Sequence, residues 1–347
     1  MFGLIFIPLL TLHLLLVNVA MAGPFVCLWL EWRGTRRDDI LAAKIGERLA
    51  RDAFWALLVG GVLGAAMVGL LWISDDAAYF RGVQAVPRSR LWAALGELLF
   101  SLALMAIYTF AWNWFAKLRW LHRAIAFLAA TNLAYHFPLL FGAISLLTGN
   151  PDSSSKTLSS AEFRSLLFDP IVISQAVHVW LASVAVVGTL MMFYALGLRK
   201  KKNRSTDDLG PTPARVAGWG AWLALIPSVL QLLVGLWVLL ELPDRSRAGL
   251  MGGNMSATIV FALGLLAALR LMHLLASIAL GDRRPRQLVS AIATMGITVL
   301  LMSATLHISS GREDSNRQVN ARSKTALAAG VLPTSFSTFP SVRIPTR

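Results

Sequence analysis

The 347-residue chain has one cysteine, Cys27, and little charge: Asp, Glu, Lys and Arg together make up 14% of it. A lone cysteine excludes an internal disulfide and any thiolate metal cluster. The charged fraction is roughly half that of a soluble domain, so most of the chain does not face water. Glycine-rich phosphate loops, nucleophile elbows and zinc-type ligand clusters are also missing from the sequence. Acidic residues are scarcest, 18 against 32 Lys and Arg, which gives a net charge of +14. That excess does not mark a nucleic-acid binder. The basic residues sit in short loops between apolar runs, not on one face of a domain.

What is present is apolar sequence, 56% of all residues. Several runs exceed the ~18 residues that signal a spanning helix. Spans are expected at about 4–31, 53–74, 92–116, 121–148, 172–198, 215–240, 256–280 and 287–308. The fold class is therefore all-α, a polytopic membrane protein of about eight helices. Residues 1–148 form a first four-helix bundle, 149–308 a second, and 309–347 a flexible outer tail rich in Ser, Thr, Arg and Pro. The loops 32–52, 117–123, 199–215 and 281–286 hold 18 Lys and Arg, whereas 75–91, 149–171 and 241–255 hold 7. Positive charge marks the cytoplasmic side, so both termini face outward. An alternative reading makes the start a signal peptide cleaved after Ala20-Met21-Ala22. It lacks a basic n-region, and the apolar run continues to Trp32.

An internal repeat supports two halves. His13, Leu16, Val19, Ala20 and Gly23 coincide, offset by offset, with His178, Leu181, Val184, Ala185 and Gly188. These lie on the first and fifth spans, so each half carries a histidine at a matching position. His13 is about nine residues, roughly 14 Å, from the outer end of its span. His136 lies on span 4 and His307 at the outer end of span 8. One histidine thus falls on the first and last span of each bundle, all in the outer half. His122 and His273 lie toward the inner side, and His122 is expected to snorkel at the interface beside Arg119 and Arg123. A single membrane histidine usually hydrogen-bonds a neighbouring helix. Four in one leaflet fit iron ligation, because helix bundles hold haem between facing helices. One to two haems, three at most, are expected, of b type. Arg81, Arg88, Arg90 and Arg164 lie where propionates would emerge.

Four segments resemble subunit I of the cytochrome bd quinol oxidases. LHLLLVNVAMAGPFVCLWLEW is similar to that family's first helix, and KIGERLARDAFWALLVGGVLGAAMVGLLW to its second. YTFAWNWFAKLRWLHRAIAFLAATNL resembles the junction of helices 3 and 4. FRSLLFDPIVISQAVHVWLASVAVVGTLMMFYAL resembles the start of helix 5. The resemblance covers residues 5–200 well and the rest loosely. It implies that His13 and His178 bind haem iron, His178 that of a low-spin haem b. The family's second ligand there is a methionine early in helix 7. Met272 matches the local Arg-x-Met spelling but lies too deep, Met255 has the right depth, and His307 is a third possibility. The family also works beside a second membrane subunit, which implies one here.

This sequence departs from the family where catalysis resides. Its third span carries one acid, Glu97, either a proton relay or an interfacial acid. The long outer loop of the quinol site is missing, as is a ninth helix. Three functions follow. The leading one is an electron-transfer protein of the bacterial inner membrane, exchanging electrons with quinol or a periplasmic cytochrome. The second is an active quinol:oxygen oxidoreductase, whose mark is a high-spin haem that binds carbon monoxide. The third is a haem-free transporter or scaffold, for which Arg270 and the broken stretch Leu250–Asn254 speak.

Overall fold

The computed structural model describes residues 2–74, 76–149, 157–199 and 209–328. The described chain is helical. The spanning helices are α1 (Phe2–Arg36), α2 (Ile40–Ile73), α4 (Arg88–Phe110), α5 (Arg119–Gly149), α7 (Pro170–Leu198), α8 (Pro211–Glu241), α10 (Met255–Leu280) and α11 (Pro285–Ala328). Short helices α3 (Ala77–Ala85), α6 (Ser160–Leu166) and α9 (Asp244–Ala248) lie in the connections. Eight helices are long and apolar enough to cross a membrane.

Local chemistry sets the helix starts. Asp39 accepts from Ala42 N and caps α2, while Ser159 and Glu162 close a capping box on α6. Asp169 caps α7, which opens on Pro170, and Gly210, at φ 77°, turns the chain into Pro211 of α8. The stretch Leu250–Asn254 has an ordinary explanation of this kind. Asn254 caps α10, and Gly252 N donates to Thr258 Oγ1 at 3.0 Å.

Two differences from the sequence reading concern length. α2 begins at Ile40, because its first turns are a polar extension with Lys44, Arg48 and Arg51 that precedes the apolar run. α11 runs on to Ala328, past the expected boundary at 308. Residues 309–328 hold Ala, Arg, Gln and Glu, good helix formers that need no apolar period. The rest of the expected tail, 329–347, lies outside the described residues.

The repeat has a structural counterpart. A Cβ on Gly23 would meet Ala53 Cβ of α2 at 2.8 Å, and one on Gly188 would meet Gly220 O of α8 at 2.5 Å. Each glycine thus lets its helix close against the next one in the chain. Five residues past each histidine, Asn18 and Ser183 meet across α1 and α7, Ser183 Oγ donating to Asn18 Oδ1 at 2.7 Å. Equivalent positions of the two repeats therefore touch. Both residues are buried, and the apolar core around them draws on α1, α2, α4, α5, α7, α8, α10 and α11 as one body. Between α1 and α2, Asp39 takes Arg33 at 2.9 Å and also pairs with Arg215. Both guanidinium groups lie 4.8 Å from the Trp219 ring. This clamp fastens the α1–α2 turn to α8. Burial pushes the Asp39 carboxyl up, but Arg33, the Ala42 amide and Arg215 outweigh it and hold it below its ordinary value.

Candidate functional site

His13 faces α2. Its Nδ1 lies 2.8 Å from Gly60 O, and a Cβ on Gly64 would come within 2.9 Å of its ring. A carbonyl only accepts, so Nδ1 carries the proton and Nε2 is left as a lone-pair donor. That is the tautomer a metal-bound imidazole needs, oriented by a backbone carbonyl. Gly64 makes room for the ring, and Gly60 lets α1 come close at Leu16 and Val17, so the sequence of α2 positions the histidine of α1.

His178 stands in the matching place on α7 and faces α8. A Cβ on Gly235 would lie 4.0 Å from its ring, and Gln231 donates to its backbone carbonyl at 3.4 Å. Trp180, two residues on, donates to Ala134 O of α5 at 2.7 Å and fixes α7 on that side. The buried Nδ1 of His178 has no hydrogen-bond partner among the described residues. An unsatisfied buried nitrogen costs stability, and in native proteins it calls for an explanation.

The other expected site residues are placed as follows. His136 Nε2 lies 3.9 Å from Glu97 Oε1, so α4 and α5 bring these two together. His307 lies tilted against Phe6 of α1, with ring centroids 5.3 Å apart, two turns before His13 in the chain. Met255 opens α10 and is 68% exposed, and the structure does not pack it on His178. Met272 is half-buried, while Arg270 and His273 are exposed on the same helix. Arg81, Arg88 and Arg164 are exposed on the expected outer side, and Arg90 is half-buried.

His122 overturns its expectation. It is fully buried rather than snorkelling. Its Nε2 bonds Tyr108 O at 2.8 Å and its Nδ1 meets Glu31 Oε2 at 3.0 Å. Tyr108 donates to the same oxygen at 3.2 Å, and its ring stacks on the imidazole at 4.1 Å. Arg119 and Arg123 stand 3.6 and 3.8 Å from Glu31 Oε1. Tyr108 O only accepts, so Nε2 is protonated. A proton then lies between Nδ1 and Glu31 whichever of the two owns it. Sequence reasoning passed over Glu31. Its signal was there: an acid ending a long apolar run, where a lone carboxylate is expensive.

Eight helical spans with imidazoles at matching positions define the class. It is a multi-pass protein of the inner-membrane type, since outer membranes are spanned by barrels. Among solved structures, the chain is similar to the bd oxidase from Geobacillus thermodenitrificans, with a TM-score of 0.69 and 14% identity. The match covers 89% of this chain and 85% of that one, so the two are close in length. It shows that this chain has the fold of a bd oxidase chain, divergent in sequence. No protein-family model and no curated protein matches it.

Proposed function

We propose that this chain is a haem-binding electron-transfer protein of the bacterial plasma membrane. One observation carries the reading: His13 and His178 occupy equivalent positions of repeated helices, each with an uncommitted ring nitrogen. The donor chemistry fits haem iron. His13 offers Nε2 in the tautomer held by Gly60 O, and His178 offers a nitrogen that nothing else satisfies. Met255, at the start of α10, is the proposed second ligand, with Met272 and His307 as the alternatives. Bound haem would supply a one-electron couple. The chain's own part is to fix the two imidazoles, keep their surroundings apolar and hold α1 against α7 through Asn18 and Ser183. Quinol or a periplasmic cytochrome is the proposed electron partner, beside a second membrane subunit. Nucleic acid has no place in this reading.

The transporter reading loses its two supports. Arg270 is exposed about two to three turns from the inner end of α10, a snorkelling position, and Leu250–Asn254 serves to start that helix. An active oxidase needs one haem with an open iron position. We place it at His13, because His136 Nε2 faces Glu97 Oε1 at 3.9 Å.

His13→Ala is expected to lower the haem-to-chain ratio by one and leave the low-spin spectrum of the remaining haem in place. The ratio is measured on purified protein after expression with added haem precursor. A variant with unchanged haem content would remove His13 from the site.

A further inference from the structure

A cleft of about 390 Å³ opens where the α1–α2 turn meets the connection between α4 and α5. It is lined by Gly34 at the end of α1, Asp38 of the turn, Ile40, Lys44 and Glu47 of α2, and Trp112 of the connection. Stretches of chain far apart in sequence therefore meet at it, and its volume lies in the range of small-molecule sites. Its polar groups are largely uncommitted. Neither the Asp38 carboxylate nor the Lys44 ammonium has a hydrogen bond or ion pair among the described residues. Glu47 faces Arg51 at 3.7 Å, too far for a hydrogen bond. Trp112 is only 8% exposed, yet its indole N–H makes no hydrogen bond among the described residues. A tryptophan buried to this degree usually pairs that donor.

The cleft sits at the level of the lipid headgroups. Gly34 follows Glu31, where the apolar run of α1 ends, by about 5 Å of helix. Trp112 follows Phe110, the end of α4, by one turn at most. Trp32, Trp114 and Trp120 are exposed at this same end of the helices, and a belt of tryptophans marks a membrane boundary. Ile40, 71% exposed, gives the cleft an apolar rim for glycerol and acyl carbons. The donors and acceptors then select the headgroup. Lys44 and the Trp112 N–H donate, and a phosphate diester accepts from both. Asp38 and Glu47 accept, and a primary ammonium brings three N–H donors to them. A trimethylammonium group has no N–H to give. An anionic headgroup would meet two carboxylates against one ammonium. We propose that this cleft binds the headgroup of a phosphatidylethanolamine, its phosphate toward Lys44 and Trp112 and its ammonium toward Asp38 and Glu47. The bound lipid joins the α1–α2 turn to the α4–α5 connection. It needs no haem, so the site stands apart from the electron-transfer reading.

Asp38 provides the test. Its φ of 49° lies in the left-handed region, which asparagine also adopts, so Asp38→Asn removes the charge and keeps the turn. Lys44→Gln alters an exposed side chain and spares the packing. The full chain in detergent is titrated with dioleoylphosphatidylethanolamine, and lipid bound per chain is counted by native mass spectrometry. The dioleoyl phosphatidylcholine and phosphatidylglycerol are titrated in parallel. The expected result is one saturable phosphatidylethanolamine per chain, with a Kd about tenfold below that of either other lipid. Asp38→Asn abolishes this preference, and Lys44→Gln raises the Kd about tenfold, while both variants keep the unfolding midpoint of the parent. Soluble O-phosphoethanolamine at the same concentration displaces no lipid. Equal binding of the three lipids, or a preference that survives Asp38→Asn, overturns the proposal. So does tighter binding of phosphatidylglycerol, which would assign the lipid to the surrounding arginines. Displacement by O-phosphoethanolamine would make the occupant a soluble zwitterion and overturn the lipid assignment.

Discussion

His178→Ala is expected to reach the membrane in normal amount and to lack the low-spin haem absorption entirely. Insertion depends on the hydropathy of the span, and the substitution makes α7 more apolar. The local packing that holds this segment does not use the imidazole. Gln231 bonds the backbone carbonyl of residue 178, and Trp180 bonds Ala134 O. The ring itself contributes a buried nitrogen with no partner among the described residues, so its removal leaves no protein group unsatisfied. The loss should therefore fall on the cofactor and not on the fold. Absorption spectra normalised to chain concentration, with thermal melting as a control, read both. A surviving low-spin spectrum would show that another residue binds that iron.

The largest effect on folding is expected from Glu31→Ala. Glu31 is 2% exposed and receives Tyr108, His122, Arg119 and Arg123. Removing it leaves two guanidinium groups and an imidazole facing a buried space without an anion. Breaking a buried charge network from one side costs roughly 3–5 kcal/mol. Glu31→Gln keeps the volume and a carbonyl acceptor for Tyr108, so its loss should be smaller. Unfolding midpoints in detergent compare the three proteins. A Glu31→Ala protein as stable as the parent would mean that the network carries no net energy.

The contrast between these two sites shows what a sequence displays. The eight spans were legible because insertion reads local hydropathy, and a run of apolar residues is a local property. The repeat was legible for a related reason. A histidine and a glycine ten residues apart perform the same tasks on α1 and α7, one aimed at the next helix and the other letting that helix come close. The Glu31–His122 contact was not legible. Its partners are 91 residues apart, and nothing near His122 signals a buried acid on α1. Local context, with Arg119 and Arg123 beside it, suggested an interfacial ring instead. The pairing of Glu97 with His136 was hidden in the same way, since each residue was visible but the crossing of α4 and α5 was not. The helical continuation of α11 escaped because periodicity detects faces that pack, and residues 309–328 have no such pattern.

The proposed electron transfer depends on haem bound in this fold. The most direct measurement is a reduced-minus-oxidised absorption spectrum of the purified full chain, with haem per chain and a carbon monoxide difference spectrum on the same sample. The account predicts one to two b-type haems per chain, including a low-spin haem insensitive to carbon monoxide. A chain that folds, is expressed with ample haem and shows no haem absorption would contradict it.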